Sequence, residues 1–381
     1  MRTRCVLRTL SSTRFLVLAT CILSLGLAPA TAQTERPFRL SLPPQIYAVP
    51  GVEMNLYFAN TILAPADQEV SFEVNCPLGA SDARHWTLTA MAEDVGEALL
   101  TVQATDASGA VETASTTVKV VLPTAGSGRK IKMLIVGDSL THASAYPNEI
   151  ARLLEQPGNP EWQMLGTHKP AGVAPKVAHE GYGGWTWAAF NTKFAADATL
   201  PGSSSPFVFA GTDGTPTLDV QRYFAERCEG NIPDFIIVKL GINDCFSFNA
   251  NDAQQLDSQI DGVFQQAEKL LAEFRKAAPK AEIGLCLTTP GNARDEAFIA
   301  NYKDRYPRSG WRKIQHRLVE RQLSSFSQRE AENIFLIPTE LNLDIVDGYP
   351  NDNAVHPNAQ GYQQIGRSVY SWLKWRLSET E

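Results

Sequence analysis

Four runs of almost purely apolar residues constrain the fold of this chain more than any other feature. Each is four to six residues long, which is strand length and too short for a buried helix. Strands that are apolar along their whole length suit a parallel sheet covered on both faces, because neither face alternates with polar residues. The runs are Ile131–Val136, Phe235–Leu240, Ile283–Leu287 and Ile334–Ile337.

Segments with helical periodicity separate these runs and also follow the last one. Alternation of strands and helices predicts an α/β domain with a layered parallel sheet, and ligands of such sheets bind at the carboxyl ends of the strands. Residues directly after each strand are therefore the first candidates for chemistry. The predicted helices are Asn148–Leu154, Val220–Arg227, Ser258–Ala277, Trp311–Ser324 and Ala359–Leu377.

Residues 37–122 have a different pattern, which predicts a small all-β domain. Apolar and polar residues alternate at period two in Glu69–Val74, Leu99–Ala104 and Thr116–Val121, as in half-buried strands. A β-sandwich is the expected packing. The end of the segment loosely resembles bacterial immunoglobulin-like repeats. Residues 123–129, PTAGSGR, read as a linker to a second domain at residues 130–381.

The first 32 residues read as a signal peptide. Four arginines precede the apolar run Phe15–Ala28, and Ala30-Thr31-Ala32 offers a cleavage site before Gln33. An uncleaved anchor and an organelle transit peptide are the alternatives. The prediction is export, periplasmic or secreted, with no membrane association after cleavage, since no later segment is long and apolar enough to span a bilayer.

Charge and cysteine content narrow the range of partners. The formal net charge is −7, and loss of the four signal arginines leaves about −11, which argues against general affinity for nucleic acid or anionic lipid. Four cysteines remain after the signal, and they form no C-x-x-C pair. Export would permit disulfides, but the sequence does not determine whether Cys76, Cys228, Cys245 and Cys286 form any.

Three short motifs follow strands or precede the last helix. In residues 137–140, GDSL, a serine at a tight strand-to-helix turn could act as a nucleophile, although Asp and Ser are also common helix caps. In residues 241–244, GIND, Asn243 could donate to an oxyanion or simply form a turn. In residues 355–358, VHPN, His356 could serve as a base or be an exposed histidine.

Together these motifs resemble the conserved blocks of the SGNH (GDSL-type) hydrolase superfamily. Ser139 matches the serine of the first block, Gly181 in HEGYGGW the oxyanion glycine of the second, Asn243 the third and His356 the last. The resemblance spans residues 131–357 and implies a flavodoxin-like three-layer α/β/α fold. It also implies ester hydrolysis without metal or cofactor. The serine lies in GDSLT instead of G-x-S-x-G, which argues against an α/β-hydrolase.

One position departs from this pattern and leaves the third member of the triad open. The last block normally has Asp three residues before the histidine, whereas this chain has Asn353 there and Asp352 one step earlier. A bend in the loop could bring Asp352 to His356, and a backbone carbonyl would make the site a dyad. Asp352 is the expected orienting residue, with Asn353 as the alternative.

The sequence thus predicts an exported serine esterase with Ser139 as nucleophile and His356 as base. The N–H groups of Ser139 and Gly181 and the Asn243 side chain would form the oxyanion hole, and an acyl-enzyme would be hydrolysed by water. The HEG-x-x-GWT and VHPN blocks resemble those of exported carbohydrate esterases, which implies an acetylated carbohydrate as substrate. A lipase, thioesterase or short-chain esterase and an inactive carbohydrate-binding protein are the alternatives.

Side chains around these blocks extend the hypothesis. Their aromatic residues could stack on sugar rings or belong to the core: Tyr182, Trp185, Trp187 and Phe246. The remaining histidines show no metal-ligand spacing. His142 and His179 adjoin the first two blocks, which predicts that they lie near the pocket.

Overall fold

A computed structural model describes residues 38–63, 69–196 and 201–380. The proposed signal peptide and its cleavage site lie outside the described residues, so export stays a prediction. No described helix combines the length and the apolar character that a membrane crossing requires.

The first part of the described chain forms two small sheets. The strands are β1 (Gln45–Ala48), β2 (Glu53–Tyr57), β3 (Val70–Asn75), β4 (Ala80–Ser81), β5 (His85–Thr89), β6 (Gly96–Asp106) and β7 (Val111–Val120), with helix α1 (Phe58–Thr61) after β2. One sheet has four strands in the order β1-β7-β6-β3, in which β1 runs parallel to β7 and the other pairs are antiparallel. The other is a three-stranded antiparallel sheet in the order β2-β5-β4.

One hydrophobic cluster lies between these two sheets. Leu100 and Val102 of β6 are fully buried in it, as are Leu56 of β2 and Trp86 of β5, which is 1% exposed. The three strands predicted here are confirmed, and the turn after β6 is closed by Asp106, whose Oδ1 accepts N–H groups from Ser108 and Ala110 at 2.8 and 2.9 Å. The immunoglobulin-like assignment stays a prediction.

The remaining chain contains a six-stranded parallel sheet, which confirms the predicted fold class. The strands of this part are β8 (Lys130–Gly137), β9 (Glu161–Leu165), β10 (Glu180–Gly181), β11 (Val208–Ala210), β12 (Pro216–Leu218), β13 (Phe235–Lys239), β14 (Glu282–Cys286) and β15 (Ile334–Ile337). The central strand β8 pairs with β13 on one side. On its other side it pairs first with β9 and then, nearer its carboxyl end, with β10, while β14 and β15 extend the sheet beyond β13. A short antiparallel hairpin, β11 and β12, precedes β13.

Helices cover both faces of this sheet, so the domain has three layers. The helices are α2 (Ser139–His142), α3 (Ala145–Leu154), α4 (Trp187–Thr192), α5 (Val220–Arg227), α6 (Ile242–Cys245), α7 (Ala253–Ala277), α8 (Asp295–Tyr302), α9 (Arg308–Phe326) and α10 (Ala359–Glu379). All five predicted helices are present, most with wider bounds. Alternate residues of β8 are buried on opposite faces of the sheet: Met133 packs with the layer of α3 and α10, and Leu134 with that of α5 and α7.

The four cysteines that follow the proposed signal are unpaired. Cys228, Cys245 and Cys286 are buried and Cys76 is half-buried, and all four are free thiols. The hydrophobic clusters on the two faces of the parallel sheet, together with the smaller one between the first two sheets, therefore supply the stability of the described chain.

Buried polar contacts join the first two sheets to the α/β layers. The Asn342 side chain accepts the Asn55 N–H at 2.8 Å, and Asn60 donates to the carbonyls of Glu340 and Leu343 at 2.7 and 2.9 Å. Tyr47 and Trp375 stack with ring centroids 4.7 Å apart. These contacts couple residues on both sides of the predicted linker, while the division into two domains stays a prediction.

We expect residues 130–381 alone to be less stable than residues 33–381. Removing the β region exposes the Trp375 ring and leaves the buried Asn342 without one of its partners. A loss of several buried contacts predicts a melting temperature lower by at least about 5 °C. Thermal unfolding of both fragments followed by circular dichroism checks this, and equal melting temperatures would show that the two parts are energetically independent.

Candidate active site

Ser139 lies at the carboxyl end of the central strand, where the chain turns sharply into a helix. Strand β8 ends at Gly137, and Asp138 caps α2 by accepting the Leu140 N–H at 2.9 Å. A side chain at Gly137 could not fit, because its Cβ would lie 2.0 Å from Thr141 Oγ1. The turn therefore places the half-buried Ser139 hydroxyl at the edge of the sheet.

His356 meets Ser139 although 217 residues separate them along the chain. It lies in the loop between β15 and α10, and its Nε2 is 2.9 Å from Ser139 Oγ. Burial lowers the pKa of His356 below its usual value. The neutral ring is therefore favoured, with Nε2 able to accept the serine proton.

Asn353 occupies the other side of the His356 ring. Its Oδ1 lies 3.1 Å from His356 Nδ1 and also accepts the backbone N–H groups of Val355 and His356 at 3.3 and 3.0 Å. Because the two backbone groups are donors, the atom facing the ring must be the amide oxygen. His356 consequently carries its proton on Nδ1 and keeps Nε2 free to accept from Ser139.

The expectation that Asp352 orients His356 is wrong for this structure. Asp352 is exposed, and its backbone carbonyl accepts from Asn301 Nδ2 at 3.1 Å. The loop keeps the i to i+3 spacing of Asn353 and His356 because Asn353 Oδ1 closes a local turn on the His356 N–H. The Asp352 carboxylate, one residue earlier, makes no hydrogen bond to the ring among the described residues.

Two asparagines that the sequence reasoning did not single out hold the histidine loop. The buried Asn292, which follows β14, donates to the carbonyls of Pro350 and Asn353 at 2.7 and 3.0 Å. Asn301 of α8 accepts the Ala354 N–H at 2.7 Å. The position of Asn292 just beyond the end of a buried strand is the signal that could have identified it.

The three residues expected to form an oxyanion hole lie on neighbouring elements. Gly181 pairs with Gly137 in the sheet, and a Cβ at Gly181 would lie 2.5 Å from Thr141. Asn243 lies in α6, directly after β13, and uses one amide hydrogen to donate to the Trp185 carbonyl at 3.0 Å. The Ser139 N–H has no hydrogen-bond partner among the described residues.

The Gly181 N–H is not free in this structure. It donates to Nδ1 of His179 at 3.1 Å, and Nε2 of the same ring lies 3.0 Å from Ser144 Oγ. His179 is completely buried, and burial lowers its pKa to about 3. An imidazole that is neutral at ordinary pH therefore holds the backbone of β10 through the Gly181 N–H.

His142 pairs with a second histidine. It ends α2, three residues after Ser139, and its Nδ1 is 2.8 Å from His168 Nε2. Burial, together with the nearby His142, lowers the pKa of His168. In the described part of the chain, no group of three or more His, Cys, Asp or Glu side chains is arranged to hold a metal ion.

Two buried carboxyl groups follow the strands that end at this edge of the sheet. Burial raises the pKa of Asp138 to about 6 and that of Asp244 to about 7. Asp244 Oδ1 accepts the Trp187 N–H at 3.3 Å. These groups position backbone rather than the His356 ring, whose only side-chain neighbours by hydrogen bond are Ser139 and Asn353 among the described residues.

The aromatic residues near the motifs divide into two kinds. Tyr182, Trp185 and Trp187 are at most 5% exposed and belong to the core behind the site. Phe246, one residue after α6, is half-buried and stays at the surface. The core interpretation is therefore correct for the first three residues.

Comparison with known proteins assigns the family. The model of the GDSL-like Lipase/Acylhydrolase family matches residues 135–364, more than half of the chain. The chain belongs to this family of hydrolases that act on esters. No curated protein sequence matches it.

Solved structures with remote similarity include esterases. The family 3 carbohydrate esterase of Clostridium thermocellum is 17% identical, with 66% of this chain and 99% of that chain covered and a TM-score of 0.43. The acetyl xylan esterase AlAXEase is 14% identical, with 64% and 100% covered and a TM-score of 0.35. An acetylxylan esterase mutant from Geobacillus stearothermophilus is 14% identical, with 64% and 93% covered and a TM-score of 0.35.

We expect Asn353→Ala to lower kcat on a soluble ester by at least about 10²-fold, because the His356 ring loses the acceptor that fixes its tautomer. The matched variant Asp352→Asn should stay within about threefold of wild type, since its side chain does not contact the ring. Steady-state kinetics on p-nitrophenyl acetate measures both. A larger loss for Asp352→Asn would return the orienting role to Asp352.

The pH profile should reflect the neutral partner of His356. The active form is the neutral ring, so its lowered pKa predicts that kcat/KM is retained as the pH falls to about 6.5, the ordinary histidine value, and declines only below it. Asn353→Asp adds an anion that favours the imidazolium, and the acidic limb should move to higher pH. A limb that does not move would mean that another group controls it.

Proposed function

We propose that this chain is a serine esterase in which Ser139 attacks the ester carbonyl. The observation that carries the proposal is the continuous hydrogen-bonded series from Ser139 Oγ through His356 to Asn353 Oδ1, at 2.9 and 3.1 Å. Nε2 of His356 takes the serine proton as the tetrahedral intermediate forms and returns it to the leaving alcohol. Water, activated by the same ring, then hydrolyses the acyl-enzyme.

The negative charge of the intermediate needs donors close to Ser139. The unpartnered Ser139 N–H and the second amide hydrogen of Asn243 are available for this role. The Gly181 N–H is the third donor. It donates to His179 Nδ1 in this structure, so the oxygen of the substrate carbonyl has to replace His179 as its acceptor. Such donors act mainly in the transition state, where the charge develops.

We further propose that the substrate is an acetylated carbohydrate and that the protein is exported. The lipase alternative calls for an apolar groove beside the serine. Of the large hydrophobic side chains exposed in the described residues, only Ile299 lies on a helix that contacts the histidine loop. Five of the others are in the β region and one, Ile232, precedes β13 at the opposite end of the sheet. The signal-like residues 1–32 support export.

The test is acetate release from a panel of acetylated polysaccharides, with p-nitrophenyl butyrate and longer acyl esters as competitors. An acetylated carbohydrate should give a higher kcat/KM than any long-chain ester. A preference that grows with acyl length would favour the lipase alternative, and absence of turnover on every ester would favour an inactive binding protein.

Ser139→Ala should abolish acetate release while the melting temperature stays within about 2 °C of wild type. Only one hydroxyl at a half-buried turn is removed, whereas nucleophilic catalysis contributes several orders of magnitude. Residual activity within about tenfold of wild type, or about 1.4 kcal/mol in barrier, would refute the nucleophile assignment.

Asn243→Ala should lower kcat by about 10²–10³-fold with little change in KM, since an oxyanion donor acts mainly in the transition state. Kinetics on the same acetylated substrate provides both parameters. An effect confined to KM would instead assign Asn243 to substrate binding.

A further inference from the structure

A cavity of about 410 Å³ lies at the C-terminal end of α6, where it is lined by Cys245, two residues after Asn243. Its walls come from the chain that connects α6 to α7, the chain that connects α8 to α9, and the first turns of α9. Binding pockets of small ligands have volumes of about 300–1,000 Å³. The cavity is therefore large enough for a sugar residue, and none of the roles described above uses it.

One sequence neighbour and one ring contact relate the wall of the cavity to residues of the site. Phe246, which lines it, follows Asn243 by three residues. Its ring lies 5.1 Å from that of Tyr302, the neighbour of Asn301, and Asn301 in turn holds the loop of His356. A ligand bound in the cavity would thus lie against the end of α6, the helix that carries Asn243, and against Phe246, whose ring packs on Tyr302.

The aromatic part of the wall suits the face of a sugar ring. Tyr306 and Phe246 are half-buried, with ring centroids 5.2 Å apart in an edge-to-face arrangement. Such rings present an apolar face while one side stays open to solvent. Asn251 is an exposed amide on the same wall, able to donate to and accept from hydroxyl groups. The side chain of Asn249 beside it donates to Gln255 and accepts the Asn251 N–H, both at 3.0 Å.

The charged side chains of the cavity wall are all positive. Arg305 and Lys313 line the cavity, and no Asp or Glu does so among the described lining residues. The Arg305 guanidinium lies 5.0 Å above the Tyr306 ring, and neither cation has an ion-pair partner in the part of the chain that is described. The nearby Arg308, by contrast, pairs with Asp295 at 2.8 Å.

Unpaired cations are notable on a chain whose formal net charge is −7. An acidic surface repels anionic ligands, so a local pair of cations beside an aromatic ring provides a place where an anionic group can bind. Guanidinium groups bind carboxylates in a two-point geometry. Asp304, which precedes Arg305, does not line the cavity.

We infer that this cavity is a subsite for a uronic acid residue of the acylated polysaccharide. The sugar ring stacks on Tyr306, its carboxylate pairs with Arg305 and Lys313, and the ester to be cleaved reaches Ser139 from a neighbouring sugar. This inference rests on the proposed esterase function, and it assigns to that site a preference for acidic over neutral polysaccharide.

The test compares two probes that differ in one group: a glucuronic-acid-substituted xylo-oligosaccharide and the same oligosaccharide with its carboxylate reduced to the alcohol. Binding to the full chain carrying Ser139→Ala is measured by calorimetry, so that no turnover is needed. The acidic probe should bind at least about tenfold more tightly, the size of one good ion pair. Equal affinities, or no binding of either probe, overturn the subsite.

Variants separate the charged and aromatic parts of the wall. In the chain that carries Ser139→Ala, adding both Arg305→Ala and Lys313→Ala should remove the preference for the acidic probe. The control is Lys269→Ala, which removes an exposed lysine of α7 and should leave the preference unchanged. Tyr306→Ala should weaken the binding of both probes, because each loses the same stacking surface. A preference that survives loss of both cations refutes the assignment.

Turnover provides the second measurement. In the otherwise unmodified chain, Arg305→Ala with Lys313→Ala should lower the ratio of kcat/KM on acetylated glucuronoxylan to kcat/KM on its carboxyl-reduced form. If the acidic probe binds but wild type releases no acetate from either polymer, the subsite stands and the proposed esterase function fails. If acetate is released with no difference between the polymers, the esterase function stands and the subsite fails.

Discussion

The arrangement of the site depends on the hydrogen-bond ladder of strand β8. This strand pairs with β13 on one side and with β9 and β10 in succession on the other. Its alternate residues are buried in both cores, so its position is fixed from every direction. The end of such a strand is a rigid place for a nucleophile, because moving Ser139 would require the whole sheet to shift.

Close backbone approach at that end makes the site compact. Gly137 and Gly181 are paired neighbours, and a Cβ on either would collide with Thr141. The absence of a side chain at both positions lets the end of β8, β10 and the first turn of α2 pack closely together. His179 then fixes the second segment through the Gly181 N–H, and because its pKa is about 3 this contact does not change over ordinary pH.

An amide in place of a carboxylate changes the electrostatics behind the histidine. Asn353 Oδ1 fixes the tautomer and orientation of His356 as a carboxylate would, but it adds no negative charge to stabilise the imidazolium. Burial therefore acts on the pKa of His356 without an opposing anion. The ring stays a free base at lower pH, at the expense of some stabilisation when it becomes charged.

The sequence by itself determined the sheet and the helices, and it identified the candidate site residues. Apolar runs of strand length have few alternatives to a covered parallel sheet, and Ser139, Asn243 and His356 were identifiable because they follow strands or precede a helix. Tertiary structure decided the rest. The choice of Asn353 over Asp352 depends on a local turn closed by backbone donors, and the engagement of Gly181 by His179 depends on a ring orientation set by Ser144. The burial of Tyr182, Trp185 and Trp187, and the meeting of Phe246 with Tyr302 and Tyr306, depend on how distant segments pack, which no local pattern encodes.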